Sequence, residues 1–295
     1  VRLHENARRL HRLIGLGRAR VLAMTVRRRG NRILVSLRVA VVRPQRHHKP
    51  TLPASRVGVD VGVRRLATVA NADGEVIARV DNPKPLTQSL SELRRLCRQR
   101  SRRTPGSLGC RDTNRKISVL HARIGSIRNH HLHVLTTNLA KTHGAIVVEG
   151  LDAAGMLQQR GLPGARARRR GLADAALAEP RRQLRYKCGW YGSELVEADR
   201  WFASSKTCHR CDQVQDIGWA ELWTCDGCGV THQRDDNAAI NLARWQPPAG
   251  DLGSVGAPVK QGAGRKTRPR RAGGEDLRKR PAHPGGEQPR DGVPV

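Results

Sequence analysis

A mixed α/β fold carrying a small four-cysteine zinc module is the class this sequence predicts, on three observations. Short apolar runs of strand type recur at 57–63, 66–70, 75–80, 144–149 and 194–198, and helical patterns at 86–142 and 172–192 lie among them. Two Cys-x-x-Cys pairs, Cys208/Cys211 and Cys225/Cys228, stand 13 residues apart, counting positions 212 to 224. All eight aromatic residues fall between Tyr186 and Trp245, so residues 1–185 must build their core from Val, Leu, Ile and Ala.

In chain order, residues 1–20 are basic with helical character. Arg20–Val26 and Arg32–Val42 flank the turn signal Arg29-Gly30-Asn31 and read as a β-hairpin. A lone two-stranded hairpin is marginal in water, so it reads as the tail of a module whose beginning is absent. Pro44, Pro50 and Pro53 mark 43–55 as a linker. Strands follow at 57–63 and 66–70, a turn at Asn71-Ala72-Asp73-Gly74, and a third strand at 75–80. Residues 86–142 predict two basic helices in a hairpin, broken at Thr104-Pro105-Gly106. Leu86, Leu90, Leu93 and Leu96 lie on one arm, and Leu132, Leu135 and Leu139 on the other. A buried strand ending in Glu149 comes next, then an Arg/Gly-rich mobile stretch at 160–171, a helix at about 172–192 and a strand at 194–198. From Pro247 onward Gly, Pro and Arg predominate without apolar periodicity, which predicts a disordered tail.

The formal net charge of +30, rich in arginine, points to a polyanionic partner, nucleic acid above acidic lipid. With no aromatic platform in the first 185 residues, phosphate contacts must carry most of the affinity there. The outer faces of the 86–142 helices offer such contacts, although a solvated basic surface has the same composition. No run of about 18 apolar residues suggests a membrane span, and Val1-Arg2-Leu3-His4-Glu5 lacks a signal-peptide core. The cysteine usage, with Cys97, Cys110 and Cys188 outside the pairs, suits a reducing cytosol.

Zn²⁺ favours four tetrahedral thiolates, and a two-residue spacer lets one tight turn present two sulfurs. Gly229 follows the second pair where a left-handed turn would aim N–H groups at the sulfurs, and Asp212 stands at the matching place. Two disulfides or four reduced core cysteines are the other readings of the pattern. Beyond this ribbon, at 206–231, Asp235 and Asp236 precede a short helix with Ile240, Ala239 and Ala243 facing inward, where an acid ordinarily serves as a cap.

Asp60 sits inside an apolar strand and Glu149 ends another. Burying an unpaired carboxylate costs several kcal/mol, so each needs an arginine or a divalent cation. Asp235 would complete a three-carboxylate cluster of the kind that holds two Mg²⁺ or Mn²⁺ ions for in-line phosphodiester cleavage.

Val57-Gly-Val-Asp60-Val-Gly-Val-Arg-Arg-Leu-Ala-Thr68, Val147-Val-Glu149-Gly-Leu151, Trp201-Phe-Ala-Ser-Ser-Lys-Thr-Cys208-His-Arg-Cys211 and Arg234-Asp-Asp-Asn-Ala-Ala-Ile-Asn241 together resemble the OrfB/TnpB family over roughly residues 1–245. These are transposon-associated proteins with a RuvC-like nuclease domain, similar to the compact type V CRISPR effectors. The resemblance implies an RNase H-like fold with a zinc ribbon before the last helix, and Asp60, Glu149 and Asp235 as metal ligands. The family's acid lies two residues before the Asn, which selects Asp235 over Asp236. It also implies RNA-guided cleavage of DNA with a transposon-derived RNA, and a cytoplasmic, nucleoid-associated protein of bacterial type. The implied organisation is a remnant N-terminal β-barrel module at 1–52, a nuclease core at 53–205, the ribbon at 206–231, the last nuclease motif and helix at 232–246 and a basic tail at 247–295. Family members carry a longer N-terminal part, so this chain is expected to be truncated there. Pro180 falls where the family is helical, and either opens the helix or kinks it.

Two other classes fit parts of the pattern, a non-catalytic nucleic-acid-binding protein and a transposase that cuts and rejoins ends. Tyrosine chemistry would need a positioned Tyr with a metal-binding His pair, and neither Tyr186 nor Tyr191 has one in the sequence. The sequence assigns no oligomeric state.

Overall fold

A computed structural model describes residues 6–29, 32–42, 49–158 and 164–247. In order these form α1 (Arg8–Gly15), β1 (Ala19–Arg29), β2 (Arg32–Val41), β3 (Leu52–Asp60), β4 (Arg65–Asn71), β5 (Val76–Asp81), α2 (Pro85–Gln88), α3 (Leu90–Ser101), α4 (Leu108–Thr142), β6 (His143–Glu149), α5 (Ala153–Gln158), α6 (Ala165–Ala175), α7 (Ala178–Tyr191), β7 (Glu194–Ala198), β8 (Leu222–Thr224), β9 (Thr231–Gln233) and α8 (Arg234–Arg244). The tail expected to be disordered lies outside the described residues from 248 onward, as does the 160–163 part of the stretch expected to be mobile.

Five strands form the central sheet in the order β5-β4-β3-β6-β7. The β3–β4 and β4–β5 pairs are antiparallel, whereas β6 runs parallel to both β3 and β7. Alternation sorts the side chains. Val57 and Val59 of β3 and Ile146 and Val148 of β6 pack with Leu132, Leu135 and Leu139 of α4 and Leu184 of α7. The opposite parity meets α8, with Val147 against Leu242. Gly58 has that same parity, and a Cβ there would strike the backbone of Ala239 and Ala243. Only glycine lets α8 lie flat on β3.

Pro105-Gly106 separates α3 from the 35-residue α4, whose start is capped by Ser107 Oγ accepting the Cys110 N–H at 3.1 Å. Leu96 of α3 packs with Leu120 and Ile124 of α4, closing the basic helical hairpin. The β1–β2 hairpin forms an antiparallel ribbon whose Met24, Val26, Ile33 and Val35 remain exposed.

Three expectations need correcting. The linker assigned to 43–55 ends sooner, because β3 starts at Leu52 and includes Pro53. Proline is tolerated there because the register against β6 slips between Leu52 and Arg56, so no regular ladder bond is lost. Residues 165–171 of the Arg/Gly-rich stretch are helical, as the first part of α6. Its Leu172 and Ala175 pack near Val61 and Val63, and buried Asp174 accepts the N–H groups of Leu86 (2.8 Å) and Thr87 (3.0 Å). The single helix at 172–192 is two, broken at Ala176, which adopts φ 48°. Pro180 therefore falls in the first turn of α7, where its missing N–H costs nothing.

Candidate metal centres

Register brings the first two acids together. Val59 pairs with Val148 across the parallel β3–β6 ladder, so Asp60 and Glu149 each end their strand at the same level. Each is one residue beyond a valine that faces α4 and α7, and so points to the α8 side. Asp235 lies in the first turn of α8, and all three acids line one cavity of about 670 Å³.

Burial, then the charges of Asp235 and Glu149, push the Asp60 carboxyl up to about 8, with Arg234 opposing. Burial also raises Glu149, again against Arg234. Among the described residues no hydrogen bond or ion pair reaches the carboxylates of Asp60, Glu149 or Asp235. Half-buried acids without a protein partner, held against one another, form an oxygen donor set that suits a hard divalent cation. Asp236, by contrast, turns away and binds Arg79 and Arg65.

The rim is cationic and aromatic. Arg64, Arg200, Lys206 and Arg234 line the cavity, as do Trp201 and Trp219, which are 81% and 78% exposed. Arg200 stacks over Trp201 at 5.1 Å and Arg168 of α6 over Trp219 at 5.5 Å.

The four paired cysteines form the second centre. Their sulfurs lie within 4.8 Å of one another, with Cys208–Cys228 at 3.6 Å and Cys211–Cys225 at 3.5 Å. All are free, which removes the disulfide reading. Four sulfurs about 2.3 Å from a common centre would stand about 3.8 Å apart, so the cluster is close to the tetrahedron a zinc ion requires. Asp212 and Gly229 take left-handed φ values of 59° and 68°, and N–H groups of Cys228 and Gly227 pull the Cys225 thiol down to about 7.

Several neighbours had no sequence signal. His232 of β9 places Nε2 3.1 Å from Cys208 Sγ, and burial holds its pKa low. Neither its spacing nor its residue type sets it apart from the other histidines. Arg79 and Trp219 likewise depend on contacts across the fold, and Asn237, though part of the quoted motif, owes its partners to packing.

Two family models match the chain. Residues 36–160 match OrfB_IS605, described as "Probable transposase", and residues 178–242 match "Cas12f1-like, TNB domain". A Mycobacterium tuberculosis protein named "Putative RNA-guided DNA endonuclease" is 65% identical over the whole chain, which spans 64% of that protein. The Escherichia coli "Putative RNA-guided DNA endonuclease InsQ" is 32% identical over 70% of the chain and 54% of its own length. Among solved structures, a CRISPR-Cas12f ternary complex aligns with 80% of this chain and 47% of its own, at 18% identity and a TM-score of 0.47. The chain thus spans about two thirds or less of the curated relatives it matches. With two family models falling on consecutive parts of it and a mycobacterial relative matching it end to end, the chain belongs to the OrfB/TnpB family.

Proposed function

We propose that this chain is the nuclease part of an RNA-guided DNA endonuclease, with an RNase H-like (RuvC) core at 53–205 and 232–246, a zinc ribbon at 206–231 and a hairpin-bearing segment at 1–52 that helps grip nucleic acid. The observation that carries the reading is the sharing of one cavity by Asp60, Glu149 and Asp235, none with an ion-pair partner among the described residues. The three acids would hold Mg²⁺ or Mn²⁺, which when bound supplies an activated water and stabilises the leaving oxygen. The residues around them bring the substrate there. Arg64, Arg200, Arg234 and Lys206 draw a phosphodiester toward the acids, and Trp201 and Trp219 offer faces on which unstacked bases can rest. The exposed arginines of α3 and α4 add sequence-independent hold on DNA or on a transposon-derived guide RNA. Cys208, Cys211, Cys225 and Cys228 would hold a structural Zn²⁺.

The test is DNA cleavage with Mg²⁺ or Mn²⁺ by the full-length relative or this chain, supplied with its RNA. Asp60→Ala, Glu149→Ala and Asp235→Ala should each reduce cleavage by at least about 10³-fold while nucleic-acid affinity stays the same. Equal cleavage by any of the three variants would leave a nucleic-acid-binding protein without this active site.

A further inference from the structure

We infer that Asn237 is a positioning residue that couples the zinc knuckle to Asp235; the inference rests on the three-acid reading above. Asn237 lies two residues after Asp235 in α8, is 1% exposed and has its amide committed on both sides. Its Oδ1 accepts the backbone N–H of His209 at 3.1 Å and lies 3.0 Å from that residue's Nδ1. Its Nδ2 donates to the carbonyl of Thr207 at 2.7 Å and to that of Ser204 at 3.3 Å. One turn on, Asn241 Nδ2 donates to the same two carbonyls at 2.6 and 2.8 Å. The segment so gripped runs straight through Cys208, the fully buried thiol of the first Cys-x-x-Cys pair.

These bonds are directional and buried, so the knuckle and the first turns of α8 move as one body. The ribbon's last strand, β9, also runs without a break into α8. Metal in the ribbon rigidifies 208–211, Asn237 passes that order to α8, and the Asp235 carboxylate is held where Asp60 and Glu149 can share a cation with it. The sequence shows Asn237 only as part of a motif, whereas the packing shows what its amide grips. Such coupling is reciprocal, since two binding events linked through one element must each strengthen the other.

The experiment measures Mn²⁺ binding to the zinc-loaded full chain by electron paramagnetic resonance, with Asp60→Asn as the control that removes the site. Asn237→Ala should keep its zinc yet bind Mn²⁺ about tenfold more weakly than wild type. Hydrogen exchange should rise at residues 208–209 and 235–237 together. Should Asn237→Ala fail to fold, Asn241→Ala, which keeps the His209 bonds, should show a smaller loss in the same direction. Mn²⁺ affinity within about twofold of wild type in the folded variant, even with a lowered melting temperature, assigns Asn237 to stability alone and overturns the proposal. Wild-type protein that binds no Mn²⁺ would instead remove the three-acid reading itself.

Discussion

Arg79 of β5 grips Asp236 with two parallel bonds, Nε at 2.9 Å and an η-nitrogen at 2.7 Å, while the adjacent Asp235 faces the cavity without a partner among the described residues. Neighbouring aspartates thus do different work. Asp236 ties the start of α8 to the sheet edge, and Arg65 stands a further 3.5 Å away. Asp236→Ala should destabilise the fold by about 1 kcal/mol, a bidentate pair discounted because Arg79 is half exposed. Asp235→Ala should leave stability unchanged or raised, since it relieves repulsion. Urea titration of both variants checks the contrast, and equal losses would contradict it.

The raised Asp60 carboxyl makes metal-free stability depend on pH. The folded state holds a proton up to about 8, whereas the unfolded chain releases it near 3.8. Between those values the native state binds more protons than the unfolded one, so stability falls as pH rises through this window. Asp60→Asn should flatten the decline and melt above wild type at pH 8 in Mg²⁺-free, zinc-containing buffer. A parallel decline in both proteins would mean that another group titrates.

The ribbon should carry one zinc ion per chain, lost in the Cys225→Ser, Cys228→Ser double variant. His232→Ala should retain the metal at saturation but weaken it about 10- to 100-fold, because it removes the ring that lies 3.1 Å from Cys208 Sγ. Competition with a chromophoric chelator measures the shift. Zinc persisting in the double variant would disprove the ligand assignment.

Arg95 and Arg98 on α3 and Arg102 just past its end are exposed and make no ion pair among the described residues. Replacing all three by Gln should lower the log–log salt slope of DNA binding by up to about 3, one for each phosphate no longer neutralised. An unchanged slope would assign them to a solvated surface.

Much of the local structure is legible in the sequence because it depends on residues close in the chain. The strand at 194–198 and the break at Thr104-Pro105-Gly106 follow from alternation and from Pro-Gly chemistry, and both stand as expected. The two Cys-x-x-Cys pairs specify a four-thiol cluster for the same reason, since each turn builds half of it. Where sequence reasoning slipped, tertiary packing outweighed local propensity. Arg-rich 165–171 is helical because α6 buries Leu172, Ala175 and the Asp174 cap beneath it, and Pro53 enters β3 at a register slip.

The sequence by itself determined which residue types are present to do chemistry: one acid inside an apolar strand run and one ending another, two at a helix start, four thiols and a large excess of arginine. Only the tertiary structure decided which of them meet. Asp60 and Glu149 lie level because β3 and β6 pair in parallel at the Val59–Val148 register, a choice made by side chains on both faces of the sheet. Asp235 is left to the cavity because Arg79, 157 residues away, takes Asp236. Ion pairs and amide clasps across such separations leave no periodic trace in the chain, since they depend on where the backbone returns in space.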